Sequence, residues 1–401
     1  MPIFTRRRFL GALAAVSAGA TGFTRPQWAA AEASAAWAPR PCAPAAWQKL
    51  AVVLDDTEGA VQNFTCAAEP LGTGRWRIWY SQRGEKDTSH VGFAEGKPGE
   101  PLTRHLAVLS AGEPADAPLS IGNLPPGWLP TQAVHLQLQS GRHRLYFWAH
   151  GPELHRYLAA ESADGRRYRV LDPLRPCLYH PHDRAVGGKA AAAAGLPRLA
   201  QKVSTSPKQE RSAPARLISN DATNVYRLDD GTYEMYSVGL IEVARGDPRF
   251  IAHDNAAGWV RVIDRYVSRD GLDWTDRRRV LVPDQRDPPD LQFYYLAVTH
   301  TPRGRIGLLG HYRVAAQTTD VEFCYSADGV TWQRPARQAW LPRGKPGEPD
   351  SYGIYASHAL VQDDRRWHLF YAATNTAHNR KHSHGRPATA VMHAATSAPW
   401  S

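Results

Sequence analysis

The sequence predicts an all-β chain arranged as a five-bladed β-propeller with four-stranded antiparallel blades, and two observations carry that prediction. The first is a seven-residue phrase, Ser-x-Asp-Gly-x-x-(Trp or Tyr), that occurs three times, at residues 162–168, 268–274 and 326–332. Each copy follows a run of strand formers, such as residues 260–267 or 321–325. The Asp-Gly pair supplies the positive φ of a tight hairpin turn, and the closing aromatic packs back over it. A supersecondary unit that recurs along a chain marks an array of similar modules, here β-hairpins set radially. The second observation is that strands, turns and aromatics recur throughout, while no long segment shows helical periodicity.

The strand signals fall into five units. The first runs from residues 51–54 through 76–80 to 90–93. The second starts at 132–137, passes through 144–148 and closes on the first phrase. The third opens at 221–226, continues through 232–236 and closes on the second phrase. The fourth opens at 290–295, includes 306–310 and ends on the third phrase. The fifth opens at 350–355, includes 367–371 and ends at 389–393. Each unit has an inner strand, a second strand headed by a turn (Asp229-Asp230-Gly231, for example) and an outer hairpin. A four-stranded blade cannot bury both faces alone, so neighbours must stack around an axis. The five units make one domain over residues 51–401, with a lead-in at 32–50. Residues 185–215, with an alanine run from Ala190 to Ala194, read as an exposed insertion; residues 240–258 read as a loop over one face.

The first 31 residues have the pattern of a twin-arginine export signal: Thr5-Arg6-Arg7-Arg8-Phe9-Leu10, a short apolar stretch, then Ala29-Ala30-Ala31. The stretch is too short and too rich in alanine and glycine to span a membrane. The expectation is a periplasmic or extracellular protein, exported by the twin-arginine pathway. Cleavage would remove four arginines and no acid, lowering the formal charge from +10 to +6. The remaining arginines form no continuous stripe, so nucleic acid is not an expected partner, nor is a membrane once the signal is gone. A monomer is expected. Cys42, Cys66, Cys177 and Cys324 contain no Cys-x-x-Cys pair, which leaves either one bridge, Cys42 to Cys66, or buried free thiols.

Acidic residues stand at the head of four inner strands. The first unit has Asp55-Asp56-Thr57-Glu58, the third Asp221, the fourth Asp287 and Asp290, the fifth Glu348 and Asp350. Strand heads converge on the mouth of a propeller's central channel, so several carboxylates would line one pocket. Like charges held close raise one another's pKa, leaving one acid protonated while another is ionised. Glycoside cleavage by two carboxylates requires that division. The bland reading is ordinary turn chemistry, since Asp beside Gly, Pro, Ser or Thr is common at strand ends; recurrence in four units favours function. The second unit has Gln132 and His135 there instead, neutral groups suited to sugar hydroxyls. Among the inner-strand aromatics, Tyr295 and Tyr352 are candidates to stack on a sugar ring, although most aromatics of such a chain form blade core. His300, His358 and His378 follow strands that approach the axis and are candidate substrate ligands. The groups His378/His382/His384 and His180/His182 lack the flanking carboxylates of a metal site and read as solvated loop histidines. No phosphate loop, nucleophile elbow or Cys/His pairing is present.

Several stretches resemble the five-bladed propellers related to glycoside hydrolase families 32 and 43, in particular secreted bacterial members. They are the turn phrase at residues 325–335; Asp221-Ala222-Thr223-Asn224 followed by 231–236; and 344–350 followed by Leu369-Phe370-Tyr371 and His378. The resemblance covers roughly residues 50–396 and implies a carboxylate-lined axial pocket acting on glycosidic bonds. Carried over position by position, it implies catalytic roles for Asp56 (or Asp55), Asp221, Asp290 and Asp350. Asp56 or Asp221 would be base or nucleophile, and Asp290 or Asp350 the acid. Asn224, Tyr295, Tyr352, His358 and His378 would bind substrate. The Asn-Asp-Pro-Asn-Gly and Glu-Cys phrases of the invertase-like branch are absent, and Arg286-Asp287-Pro288 stands too late to be its Arg-Asp-Pro motif. The candidate cofactor is a divalent cation such as calcium, held by carboxylate and carbonyl oxygens in the channel. The expected activity is therefore that of a secreted glycoside hydrolase with a carbohydrate substrate. The alternatives are a non-catalytic carbohydrate-binding propeller and a scaffold for partner proteins.

Overall fold

A computed structural model describes residues 37–57, 60–61, 66–83, 89–151, 154–181, 183, 219–363, 365–379 and 389–401. The export signal at 1–31 and the insertion at 185–215 lie outside the described residues, as do Glu58, His182, His382 and His384. The chain is all-β: the helix among the described residues is a single 3-10 turn, Pro44–Ala46. None is long and apolar enough to cross a membrane. Residues 38–401 form one compact unit.

The strands are β1 (Gln48–Leu54), β2 (Ala60–Val61), β3 (Ala67–Gly72), β4 (Arg75–Arg83), β5 (Ser89–Gly96), β6 (Thr103–Leu106), β7 (Val108–Leu109), β8 (Ser120–Gly122) and β9 (Leu129–Gln137). They continue as β10 (His143–Gly151), β11 (Leu154–Ser162), β12 (Arg167–Val170), β13 (Leu178–Tyr179), β14 (Asn224–Arg227), β15 (Tyr233–Glu242), β16 (Trp259–Ser268) and β17 (Trp274–Leu281). The last are β18 (Leu291–Thr301), β19 (Gly304–Arg313), β20 (Thr318–Ser326), β21 (Ala339–Leu341), β22 (Gly353–Ala356), β23 (Val361–Gln362), β24 (Trp367–Thr374) and β25 (Thr389–Thr396).

They pair into four sheets that contain five antiparallel meanders. In the first, β2 and β3 lie end to end along β4, followed by β5 and β6. The second is β9 to β12, and the third β14 to β17. The fourth, β18 to β21, and the fifth, β22-β24-β25-β1, are joined into one nine-stranded sheet by a single parallel pair, Thr319 with Gly353. Each meander packs on the next: β9 on β4 and β5, β14 on β9, β18 on β15 and β16, β22 on β19, and β2 on β25. The fifth therefore meets the first.

Two sequence expectations are corrected here. Residues 51–54 were expected in the first unit, but β1 is the outer strand of the fifth, paired with β25 from Gln48↔Ala395 to Leu54↔Val391. The lead-in reinforces this junction, since Arg40 and Ser401 exchange backbone hydrogen bonds at 3.0 Å. Nor is every meander four-stranded and antiparallel. The second gains β8 and β7, both parallel, and β13 beside β11. All four cysteines are free thiols, so the Cys42–Cys66 bridge is not formed. Cys66, Cys177 and Cys324 are buried, and burial pushes the Cys66 and Cys177 thiols up to about 12.

Burial explains why alternation is weak in the middle strands. β15 is buried at nine consecutive positions and β25 at all eight, because both faces of these strands are covered by neighbouring meanders. Outer strand β17, with one face in water, carries Asp276, Arg277, Arg278 and Arg279. Aromatics fill the seams: Trp79, Phe93, Phe147 and Tyr168 between the first and second meanders, and Tyr146, Trp148, Tyr157, Tyr266 and Trp274 between the second and third. Trp76, Tyr80, Phe370 and Val391 join the fifth to the first.

The three repeated phrases form the same turn. In each the Ser hydroxyl donates to the Asp carboxylate (2.7, 2.9 and 3.0 Å) and accepts from the Gly N–H (3.0, 2.9 and 2.8 Å). The same carboxylate accepts the next two backbone N–H groups, as at Val330 and Thr331 (2.8 and 2.7 Å). Gly165, Gly271 and Gly329 have φ of 70°, 74° and 76°. Two of these turns also dock across a seam: Tyr146 donates to the Gly271 carbonyl at 2.8 Å, and Tyr236 to the Gly329 carbonyl at 3.3 Å. A Cβ at Gly329 would stand 2.6 Å from the Tyr236 hydroxyl and 2.8 Å from Arg305 Nε. Gly329→Ala is therefore expected to destabilise the protein by about 2 kcal/mol, from backbone strain plus the displaced seam contact. Urea unfolding of the variant checks this; a loss as small as that of an exposed loop glycine would refute the docking role.

Candidate active site

At the inner-strand heads of the third, fourth and fifth meanders, several polar side chains converge around one carboxylate. Asp221 lies three residues before the start of β14, in a segment where Ala222 has φ of 46° and donates its N–H to the Gln132 side chain at 2.9 Å. The carboxyl group of Asp221 is half-buried. Its one hydrogen bond among the described residues is from the Asn220 amide at a long 3.5 Å. Burial pushes it up to about 6, with the Arg261 guanidinium acting in the opposite direction.

Arg261, on β16, is fully buried and stacked 4.7 Å from the Tyr294 ring centroid and 5.3 Å from that of Tyr312. It donates to Asp254 at 2.8 Å, to Gln292 at 2.6 Å and to Asn255 at 2.5 Å. Asp254 also accepts from the Tyr312 hydroxyl at 3.3 Å. Asp254 and Asn255 come from the loop expected at residues 240–258, of which 240–242 instead complete β15; the loop is held down by Phe250 packing on Ile241, Val243, Val260 and Val262. Its role here escaped the sequence reading, because an Asp in a polar loop has no distinguishing neighbour in the chain.

His378 closes the group. Its Nε2 meets the Tyr294 hydroxyl at 2.9 Å and its Nδ1 the Tyr355 hydroxyl at 2.8 Å. A neutral imidazole has one donor and one acceptor nitrogen, so one phenol donates to the ring and the other accepts from it. Backbone bonds seat this segment: His378 N–H on the Gln317 carbonyl (3.0 Å), Asn379 N–H on the Gln317 side chain (2.7 Å) and the Asn379 amide on the His253 carbonyl (2.9 Å). Tyr294 also feels the negative charge of Asp221, so Asp221, Arg261, Tyr294 and His378 form one electrostatic neighbourhood.

The other predicted residues are placed differently. Asp290 is gripped by Arg313 (2.7 and 3.0 Å) and by the Ala315 N–H (3.2 Å). Asp350, fully buried, pairs with Lys49 at 2.6 Å and accepts from Tyr371 at 3.1 Å. Asp56 is half-buried between β1 and β2, and its neighbour Asp55 binds Thr57 and Arg104 of outer strand β6. The expected ring of acids is thus distributed over separate partners within or beside its own meanders. Local sequence gives Asp221, Asp290 and Asp350 the same appearance; the identity of the cation across the fold separates them.

Tyr295 donates to the Ile354 carbonyl at 3.0 Å and is buried between the fourth and fifth meanders; Tyr352 is 40 % exposed. Asn224 donates to the Leu296 carbonyl at 3.0 Å, tying β14 to β18. His358 is a junction. Its N–H donates to Cys66 O (2.8 Å) and its Nε2–H to Val225 O (2.6 Å), while its carbonyl accepts from Tyr226 (2.7 Å). Its ring stacks on Tyr226 at 4.3 Å. The first, third and fifth meanders meet at this residue. His300 lies on the Glu234 carboxylate at 3.0 Å, and His135 on that of Glu69.

Burial lowers His358 to about 4, against the opposing hydrogen bond to Val225. A histidine depressed below its unfolded value contributes stability above that value, lost as pH falls towards the folded one. The stability difference between the wild type and His358→Ala is accordingly expected to shrink between about pH 6.5 and pH 4. Thermal unfolding across that window would show it, and a constant difference would refute the neutral, buried assignment.

Among the described residues, no group of three or more His, Cys, Asp or Glu side chains is arranged to hold a metal ion. Asp290, Asp350 and Asp254 are each paired with a cationic side chain, so these acids do not offer the clustered oxygen donors that calcium takes.

No protein-family model and no curated protein matches the chain. Solved structures do. The chain is similar to a glycoside hydrolase with a TM-score of 0.55 at 12 % identity, over 86 % of this chain and 90 % of that one. It is similar to an N-acetylgalactosamine deacetylase from F. plautii, solved with blood group B trisaccharide, with a TM-score of 0.52 at 13 % identity, over 90 % and 95 %. A thermostable family-43 glycoside hydrolase gives 0.50 at 10 % identity, over 83 % and 89 %. At such identities the likeness is one of fold.

Proposed function

We propose that the five meanders are the blades of a five-bladed propeller and that the protein is a glycoside hydrolase-like enzyme whose polar cluster around Asp221 binds a carbohydrate. The observation that carries this reading is the Asp221 carboxyl, raised to about 6 with a single long hydrogen bond among the described residues, and feeling the charge of the fully buried Arg261. A group that exchanges its proton near neutral pH is suited to general acid catalysis. This reverses the sequence expectation, in which Asp221 was base or nucleophile. Asp254, held by Arg261 and Tyr312, is the candidate for the second carboxylate, and the Tyr294–His378–Tyr355 chain is suited to sugar hydroxyls. Support for the substrate class comes from the similar folds, which include two glycoside hydrolases and a deacetylase solved with a trisaccharide. Export by the twin-arginine pathway belongs to the same proposal and rests on residues 5–31 alone.

One observation favours the second reading, a carbohydrate-binding propeller without catalysis. Asp290 and Asp350 are held in ion pairs, whereas bond cleavage needs two working carboxyl groups. The test is hydrolysis of a panel of aryl glycosides and polysaccharides from pH 4 to pH 8 by protein lacking residues 1–31. The first reading predicts turnover that declines as pH rises through about 6, when the acid loses its proton. Sugar binding with no turnover at any pH selects the second.

A further inference from the structure

The peptide unit that joins Asp221 to Ala222 is held at both poles. Its carbonyl accepts from the Val238 N–H and the Ser237 hydroxyl of β15, each at 3.3 Å. Its N–H, that of Ala222, donates to the side-chain carbonyl of Gln132 at a shorter 2.9 Å. Ala222 is fully buried and left-handed, a conformation that disfavours any residue with a Cβ. Its N–H points away from β15, so without Gln132 it would be buried and unpaired. The group that satisfies it comes from a different meander, the second.

Gln132 is placed by an irregularity of β9. Val134 pairs with Tyr146 and Thr131 with Trp148, so Gln132 and Ala133 together stand opposite Phe147 of β10. At this bulge Gln132 is itself left-handed, with φ of 54°. Its N–H donates to the Ser81 hydroxyl of β4 at 2.6 Å. Ser81 is fully buried and Gln132 is 9 % exposed. Three meanders thus meet in one chain of hydrogen bonds, from Ser81 through Gln132 to Ala222, that ends at the backbone of Asp221.

We infer that Gln132 is a positioning residue for Asp221: by fixing the peptide between residues 221 and 222, it sets where the Asp221 carboxyl group stands relative to a bound sugar. The consequence for turnover rests on the reading of Asp221 as the acid. Among the described residues, the ionisable groups that act on this carboxyl or feel it are Arg261 of β16 and Tyr294 of β18. Asp254, from the loop between β15 and β16, is engaged by Arg261. Gln132 on β9 and Ser237 and Val238 on β15 bring no charge. Gln132 therefore acts through geometry. Releasing the peptide frees the segment to move towards water, which relieves the burial that keeps Asp221 protonated.

The test is a carbon-13 NMR titration of the full chain with labelled aspartate side chains, the Asp221 signal being the one lost in Asp221→Asn. Gln132→Met keeps the length of the side chain and removes the acceptor. The Asp221 midpoint is then expected to fall from about 6 by about one pH unit. Gln132→Glu keeps an acceptor for the Ala222 N–H and adds a like charge, so its midpoint should stay at or above that of the wild type. On an aryl glycoside, Gln132→Met should lower kcat about tenfold and leave KM within about twofold. Ser81→Ala frees only the anchor of Gln132; a smaller shift of the same sign is expected, and this variant carries the test if Gln132→Met does not fold. An unchanged midpoint, an equal fall in Gln132→Glu or, in an active protein, a kcat that does not fall would overturn the inference. Shifted midpoints in a protein that cleaves no glycoside would sink the catalytic reading alone and leave the placement of Asp221 by Gln132 standing.

Discussion

Asp221→Asn is expected to lower glycoside turnover by about 10²–10⁴-fold, the usual contribution of a positioned general acid or base. The amide occupies nearly the same volume but cannot give up a proton, so substrate affinity should survive while kcat falls. The variant has a second, opposite signature in stability. A carboxyl group raised above its unfolded value favours the protonated fold, so ionising it weakens the protein as pH climbs from about 3.8 to about 6. The asparagine removes that cost. Asp221→Asn should therefore unfold at a higher temperature than the wild type at pH 7.5, with the difference vanishing near pH 4. Calorimetry at the two pH values measures this directly. An activity loss accompanied by destabilisation at pH 7.5 would mean that Asp221 is a structural residue.

Glu234→Ala is expected to be the most destabilising single substitution in the seam between the third and fourth meanders, costing about 3–5 kcal/mol. Glu234 is fully buried and receives Arg265 (2.5 and 2.9 Å), Arg305 (2.7 and 2.9 Å) and His300 (3.0 Å). Burial by itself would raise this carboxyl group, but the hydrogen bonds from His300 and Arg305 and the charges of Arg305 and Arg265 hold it well below the usual carboxylate range. Truncation leaves two guanidinium groups facing each other without a counter-charge. A double variant, Glu234→Met/Arg305→Met, removes a charge of each sign and should recover much of the loss. Urea unfolding of the single and double variants checks this, and equal losses in both would show that packing rather than charge governs the seam.

The repeated Ser-x-Asp-Gly turns were fully legible in the chain because every contact that builds them is local. Ser326, Asp328 and Gly329 bond one another and the next two amides without help from elsewhere. Strand identity was legible for a similar reason, since β-branched and aromatic runs bounded by turn residues need no partner to be recognised. The candidate site was legible only in part. Asp221 and His378 stand out as a strand-head acid and a histidine after the last Phe-Tyr pair, whereas Arg261 and Asp254 carry no local mark.

Spacing and turn chemistry were enough to establish an all-β chain of recurring meanders, because backbone propensity and turn geometry act over a few residues. Pairing between distant segments assigned β1 to the fifth meander, 341 positions before its β25 partner begins at Thr389, since an edge strand takes whichever neighbour the tertiary packing offers. The same applies to charge. Asp290 meets Arg313, Asp350 meets Lys49, and Asp221 feels the charge of Arg261 without an ion pair among the described residues; these differences follow from which side chains folding brings within a few ångströms. Coulombic and desolvation effects depend on that three-dimensional proximity, so the chemistry of three similar aspartates was decided by packing.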